Sequence, residues 1–155
     1  MANPILGNNL CVQIGIVVKD IEKTTAEYAK FFGVDIPPIG MTGAYEDANT
    51  HRYGEPTTAR CKQSFFNIGP NIDIELIEPV GEPSVWLDDL NERGEGLHHI
   101  AFNVVDMDGL LKKTEEAGYA LRQRGKWDTG HYAYIDTKEQ LKLVVELLEN
   151  GKFDI

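Results

Sequence analysis

This chain of 155 residues repeats itself, and an internal repeat limits the fold more tightly than any composition does. IGIVVKD at 14–20 lies over IAFNVVD at 100–106 with an offset of 86, and DIELIE at 73–78 lies over VVELLE at 144–149 with an offset of 71. In both copies a strand-like run ends on an aspartate suited to cap a helix, and apolar residues then follow at helical spacing. The offsets differ by 15 residues, which a longer loop in the first copy accounts for. Residues 40–57 (GMTGAYEDANTHRYGEPT), rich in Gly, Thr, Asn and charge, are that loop. The expected fold class is α+β. Two βαβββ modules related by an approximate two-fold axis form a curved mixed sheet around a central metal cleft. The chain reads as one domain over 1–155, with module one at about 10–80, a linker helix at about 83–94 and module two at about 97–149.

Local signals place the elements. Residues 11–18 read as a strand. Asp20 caps a helix that turns Ile21, Tyr28, Phe31 and Phe32 inward and stops at Gly33. Strands are expected at 59–67 and 72–78, joined by a turn at Gly69-Pro70-Asn71. A short helix follows Pro83, with Val85, Trp86 and Leu90 buried, the acidic residues around 88–95 wet, and Gly94 as its stop. A strand at 97–104 and an Asp106-capped helix carrying Met107, Leu110, Leu111 and Ala117 inward up to Gly118 repeat the opening. Strands near 131–136 and 142–149 finish the chain, and the tail from Gly151 to Ile155 is expected to fray.

Alternation along the strands sets which side chains meet. Ile14, Ile16 and Val18 pack on the helix, so Gln13, Gly15 and Val17 point the other way. Ile100, Phe102 and Val104 likewise leave His99, Ala101 and Asn103 on the far face. Gln13 and His99 are therefore equivalent across the repeat, and Glu75 and Glu146 form a second equivalent pair. A carboxylate in a mostly apolar strand must be protonated, paired or bound to a cation. One amide oxygen, one imidazole and two carboxylates suit a borderline divalent ion, with Zn²⁺ ahead of Ni²⁺, Co²⁺ or Mn²⁺. The alternation turns His98 to the opposite face as a structural residue. His51 and His131 read as loop or surface histidines, His131 near the site rim. Glu55 is a candidate second acid or base. Arg60 and Lys62 are candidates to hold an anionic group.

The net charge of −10 disfavours nucleic acid and anionic membrane surfaces as partners. No apolar run is long enough for a membrane span, and MANPILGNNL lacks the pattern of a signal peptide. Cys11 and Cys61 build no disulfide framework, which points to a reducing, cytoplasmic setting.

The runs GEGLHHIAFNV (94–104), IELIEP (74–79) and YIDTKEQLKLVVEL (134–147) resemble the vicinal oxygen chelate superfamily of glyoxalases, bleomycin-resistance proteins and dioxygenases. The resemblance spans roughly 11–149 and is strongest toward the methylmalonyl-CoA epimerase-like and glyoxalase I-like branch. It implies that Gln13, Glu75, His99 and Glu146 stand at the family's metal-ligand positions, with the second histidine of the pair as the ligand. Epimerases open the first strand with His where this chain has Gln13. A glutamine there is a ligand in some glyoxalase I enzymes. Epimerases also carry His-Pro-Lys where this chain has Asp136-Thr137-Lys138. The glyoxalase I arginine and asparagine for glutathione are not found, and an extradiol dioxygenase would need the missing first histidine. The implied activity is a metal-dependent isomerase or lyase that moves a proton next to a carbonyl through a metal-bound enediolate, with Glu146 or Glu75 as the shuttle. The alternatives are a lactoylglutathione lyase of the glyoxalase I type and a non-catalytic binding protein of the bleomycin-resistance type. A small-molecule substrate and a homodimer are implied by the resemblance.

Overall fold

The computed structural model describes residues 4–151. The tail beyond Gly151, expected to fray, lies outside them. The strands are β1 (Cys11–Val17), β2 (Gly40–Met41), β3 (His51–Arg52), β4 (Glu55–Pro56), β5 (Arg60–Gly69), β6 (Ile72–Val80), β7 (Gly96–Asn103), β8 (Leu121–Trp127), β9 (Gly130–Ile135) and β10 (Val144–Asn150). The helices are α1 (Ile21–Phe32), α2 (Tyr45–Ala48), α3 (Val85–Arg93), α4 (Met107–Glu116) and α5 (Lys138–Leu141). All ten strands join in one curled sheet, in the order β2-β5-β6-β1-β7-β10-β9-β8-β3-β4.

That order shows the duplication. Outward from the middle, module one runs β1-β6-β5-β2 and module two runs β7-β10-β9-β8. In each, the first and last strands pair in parallel (β1 with β6, β7 with β10) and the next pair is antiparallel. The modules join through the antiparallel pair β1–β7. As the sequence implies, α1 and α4 follow β1 and β7 and start on Asp20 and Asp106, whose carboxylates accept from Lys23 N and Gly109 N. Each such cap contributes about 1 kcal/mol.

Apolar side chains gather in three places. Under α1, Ile21 and Ala29 meet Phe66 and Leu76. Under α4, Met107 and Leu110 meet Phe102, Ala133, Ile135 and Leu147. On the concave side, Val85 and Trp86 of α3 close over Cys61, Ile77, Tyr134 and Val144.

Five expectations change. Phe31 is 87% exposed, and Ile21, Thr25 and Ala29 are what α1 buries, so that helix face is narrower than its aromatics suggest. In α3 the buried residue beside Trp86 is Asp89, while Leu90 is half-buried. Ala117 is the exposed C-cap of α4, which buries Met107, Leu110 and Thr114. The strand β8 (LRQRGKW) carries its three charges at alternate positions, but the intervening Leu121, Gln123, Gly125 and Trp127 make too weak an apolar face, and only its place beside β9 reveals it. The long loop is also structured: β3 crosses to module two and pairs with β8, with His51 opposite Arg124. No helix among the described residues is long and apolar enough to cross a membrane.

Candidate metal centre

Register brings the four polar residues together on the concave face of the central strands. Glu75 of β6, Gly15 of β1 and His99 of β7 stand side by side in one row, and Gln13, Ala101 and Glu146 in the next. Gly15 and Ala101 are equivalent across the repeat, and both lie between polar neighbours. Small side chains there leave the space into which the polar groups lean. A Cβ on Gly15 would overlap the His99 ring. The sequence reading missed this role, although IGI and IAF show the small residues in matching places.

His99 Nε2 lies 3.0 Å from Glu146 Oε2, 3.3 Å from Glu75 Oε2 and 3.1 Å from the Gln13 amide oxygen. The same amide oxygen is 2.9 Å from Glu146 Oε2 and 3.2 Å from Glu75 Oε2. His99, Glu75 and Glu146 are buried and Gln13 is half-buried. An amide oxygen aimed at two carboxylate oxygens is repelled unless a cation lies between them. Without one, the amide turns over and its NH₂ donates to both. Around an ion with bonds of about 2.1 Å, neighbouring donors sit about 3.0–3.4 Å apart, which these spacings match. The buried Glu75–His99–Glu146 group can hold a metal ion, and the donor set fits a divalent one.

The electrostatics agree. Burial opposes charge on His99, but the carboxylates of Glu146 and Glu75 outweigh it and push the ring up to about 10. Burial pushes Glu146 up, against the pull of His99. Two carboxylates in so small a volume call for positive charge, which a ring proton or a metal ion supplies.

Three of the four groups are steadied from behind. Gln63 Nε2 donates to Glu75 Oε1 at 2.6 Å. Trp86 Nε1 donates to the Tyr134 hydroxyl at 3.0 Å, and that hydroxyl lies near enough to the Glu146 carboxylate to favour its charge. Burial and the nearby Glu146 charge push the Tyr134 hydroxyl up, so it stays a donor. His98 does not point away as alternation predicts. The β1–β7 register steps from Gly15–His99 to Ile16–Leu97, making His98 the extra residue of a bulge. Its Nδ1 lies 3.0 Å from His99 Nδ1, and its Nε2 lies 2.9 Å from Asp89 Oδ2. Asp89 is no wet helix residue. It is fully buried and receives Arg122 through both oxygens, at 2.7 and 3.0 Å. Arg122 is itself the extra residue of a bulge in β8. Burial, first, pushes His98 down to about 4.

The other sequence candidates lie elsewhere. His131 is buried against Glu149 at 2.9 Å, and Glu149 also caps α4 by accepting from Asp106 N and Met107 N. His51 Nδ1 contacts the Asn49 carbonyl, and Glu55 is exposed on β4. Lys62 pairs with Glu22 and Glu78, and Arg60 donates to the Thr42 carbonyl. Gln13, Glu75 and Glu146 line a cavity of about 430 Å³ whose walls include Phe65, Trp86, Trp127, Tyr132 and Tyr134.

Comparison with known proteins adds a family model, described as Glyoxalase/Bleomycin resistance protein/Dioxygenase superfamily, which matches residues 12–135. No curated protein matches the sequence. Among solved structures, the methylmalonyl-CoA epimerase of Mycobacterium tuberculosis is similar at TM-score 0.64 and 19% identity, covering 98% of this chain and 93% of that one. A hypothetical protein of Bacillus halodurans is similar at TM-score 0.62 and 22% identity, covering 94% and 97%. The Streptomyces coelicolor methylmalonyl-CoA epimerase, solved with 2-nitronate-propionyl-CoA, is similar at TM-score 0.61 and 20% identity, covering 92% and 97%. At these identities the likeness speaks for the fold.

Proposed function

Because this chain belongs to the glyoxalase/bleomycin resistance protein/dioxygenase superfamily, and because two carboxylates, an imidazole and an amide oxygen converge beneath an open cavity, we propose that it is a metal-dependent isomerase or lyase of the methylmalonyl-CoA epimerase type. The convergence of Gln13, Glu75, His99 and Glu146 is the observation that carries this reading. These four would hold one divalent ion, Zn²⁺ first among the candidates. When bound, the ion supplies positive charge that offsets the negative charge growing on a carbonyl oxygen as a neighbouring proton leaves.

The chain's own residues do the rest. Glu146 is buried at the floor of the cavity, and one of its carboxylate oxygens, loosened from the ion, would take a carbon-bound proton and give it back. The Tyr134 hydroxyl, held by Trp86, steadies that carboxylate from beside it. Glu75, held by Gln63, stands across the site as the second candidate for proton transfer. The aromatic walls exclude water from the reacting carbon and favour an apolar substrate body. Return of the proton to the opposite face gives an epimerase, and its delivery to the next carbon gives a glyoxalase-type lyase.

The test incubates purified protein with Zn²⁺, Ni²⁺, Co²⁺ or Mn²⁺ and follows two substrates in deuterated water: methylmalonyl-CoA and the hemithioacetal of methylglyoxal with glutathione. Deuterium should enter the α-position of the true substrate, and Glu146→Gln should slow its entry by about 10²–10⁴-fold. Unchanged exchange in Glu146→Gln would remove it as the shuttle. A folded protein that binds no metal and turns over neither substrate would favour a binding module.

A further inference from the structure

Behind His99 lies a line of buried polar groups that proton transfer at the substrate does not use. His99 Nδ1 faces His98 Nδ1 at 3.0 Å, and His98 Nε2 faces Asp89 Oδ2 at 2.9 Å, an ion-pair distance rather than an aligned hydrogen bond. Asp89 is gripped by Arg122. His98, His99 and Asp89 are all fully buried, so water does not step in. Two ring nitrogens 3.0 Å apart share one proton, one ring donating and the other accepting. If His99 lends its Nε2 lone pair to an ion, its ring proton sits on Nδ1, and His98 Nδ1 must accept it. The His98 proton is then on Nε2, facing the carboxylate. The reverse arrangement would turn a His98 lone pair toward the Asp89 oxygens and leave His99 Nε2 protonated, closed to a metal. Arg122, with its bidentate grip, fixes where the Asp89 charge lies.

From this geometry we infer that Asp89 and His98 are positioning residues that set the tautomer and ring orientation of His99, and so its strength as a metal ligand. The inference rests on the metal-site reading above. A carboxylate or carbonyl commonly takes the second N–H of a ligand histidine directly; here a second imidazole is inserted between them. The bulge that makes His98 an extra residue in β7 is what turns both rings to one side. The helix α3, which links the modules, brings Asp89 three residues after Trp86, on the same helical face. One helix thus steadies His99 through His98 and Glu146 through Tyr134.

The test measures Zn²⁺ and Co²⁺ affinity by chelator competition for wild type, His98→Phe and His98→Asn, with metal-free unfolding midpoints as the fold control. Phe keeps a ring but gives His99 no acceptor. The Asn side-chain oxygen falls near the place of Nδ1 and can accept. His98→Phe should bind metal about 10–100-fold more weakly, and His98→Asn should recover most of that loss. In zinc-loaded wild type, nitrogen-15 imidazole spectra should show His99 protonated at Nδ1 and His98 at Nε2. A folded His98→Phe with wild-type affinity overturns the inference and leaves the metal reading standing. If His98→Phe does not fold, the wild-type spectrum decides, and a His98 proton on Nδ1 overturns it. A wild type that binds neither ion brings down the metal reading together with this inference.

Discussion

In module one, Gln13 stands half-buried and Glu75 leans on a single amide, that of Gln63. In module two, His99 is backed by His98, Asp89 and Arg122, and Glu146 by Tyr134 and Trp86. The ion pairs differ in the same way. Lys62 of module one meets Glu22 and Glu78 at the surface, whereas Asp89 and Arg122 are shut away from water. The repeat supplies two donors per half, but the linker helix α3 and two bulges give the second half a rigid backing that the first lacks. A duplicated scaffold can thus diverge in the support beneath its site while keeping the strand positions of the donors.

The largest test of that contrast removes the buried pair. Asp89→Ala leaves Arg122 charged without its carboxylate and should cost about 3–5 kcal/mol in urea unfolding; a loss below 1 kcal/mol would erase the contrast. Its pH dependence has a definite sign. Burial alone would raise Asp89, but His98 and Arg122 outweigh it and hold the carboxyl well below its ordinary value of 3.8. Its contribution is therefore present above about pH 4 and lost as the pH falls further. Wild-type stability should drop between about pH 4 and 2, and the drop should be shallower in the variant.

A middle-sized effect compares the two small residues that flank the donors. Gly15→Ala pushes a methyl into the His99 ring and should cost about 1–3 kcal/mol while weakening metal binding. Ala101→Gly, at the equivalent place, removes a buried methyl and adds backbone freedom, and should cost about 1–2 kcal/mol without crowding a donor or weakening metal binding. Equal losses of metal binding from the two would mean that the repeat positions are interchangeable. The smallest effect is expected at the surface pair of module one. Lys62→Met should leave the unfolding midpoint unchanged at physiological salt, since exposed pairs are screened; a clear drop would give module one a stabilising network of its own.

Much of this is legible in the sequence. Asp20 and Asp106 are caps that the sequence announces, and the paired runs at 14–20 and 100–106 make Gln13 the counterpart of His99 in the repeat. The four donors follow from period-two alternation within apolar strands. The sequence misleads where alternation itself fails. Alternation turns His98 to the far face because nothing local marks a bulge. The pattern of α3 leaves Asp89 wet because an aspartate on a short polar helix usually is. The strand β8 escapes the sequence pattern because LRQRGKW has only a weak apolar face, and it is held by its neighbours β9 and β3.

The division has a physical cause. Side-chain direction in a strand and the start of a helix are set by bonds between residues a few positions apart, so the order of letters decides them. Whether a charge is buried, and whether a ladder takes in an extra residue, depends on partners far along the chain: Arg122 for Asp89, and Gly15 and Ile16 for His98. Only the closed sheet, with α3 laid across its two halves, brings those partners within reach.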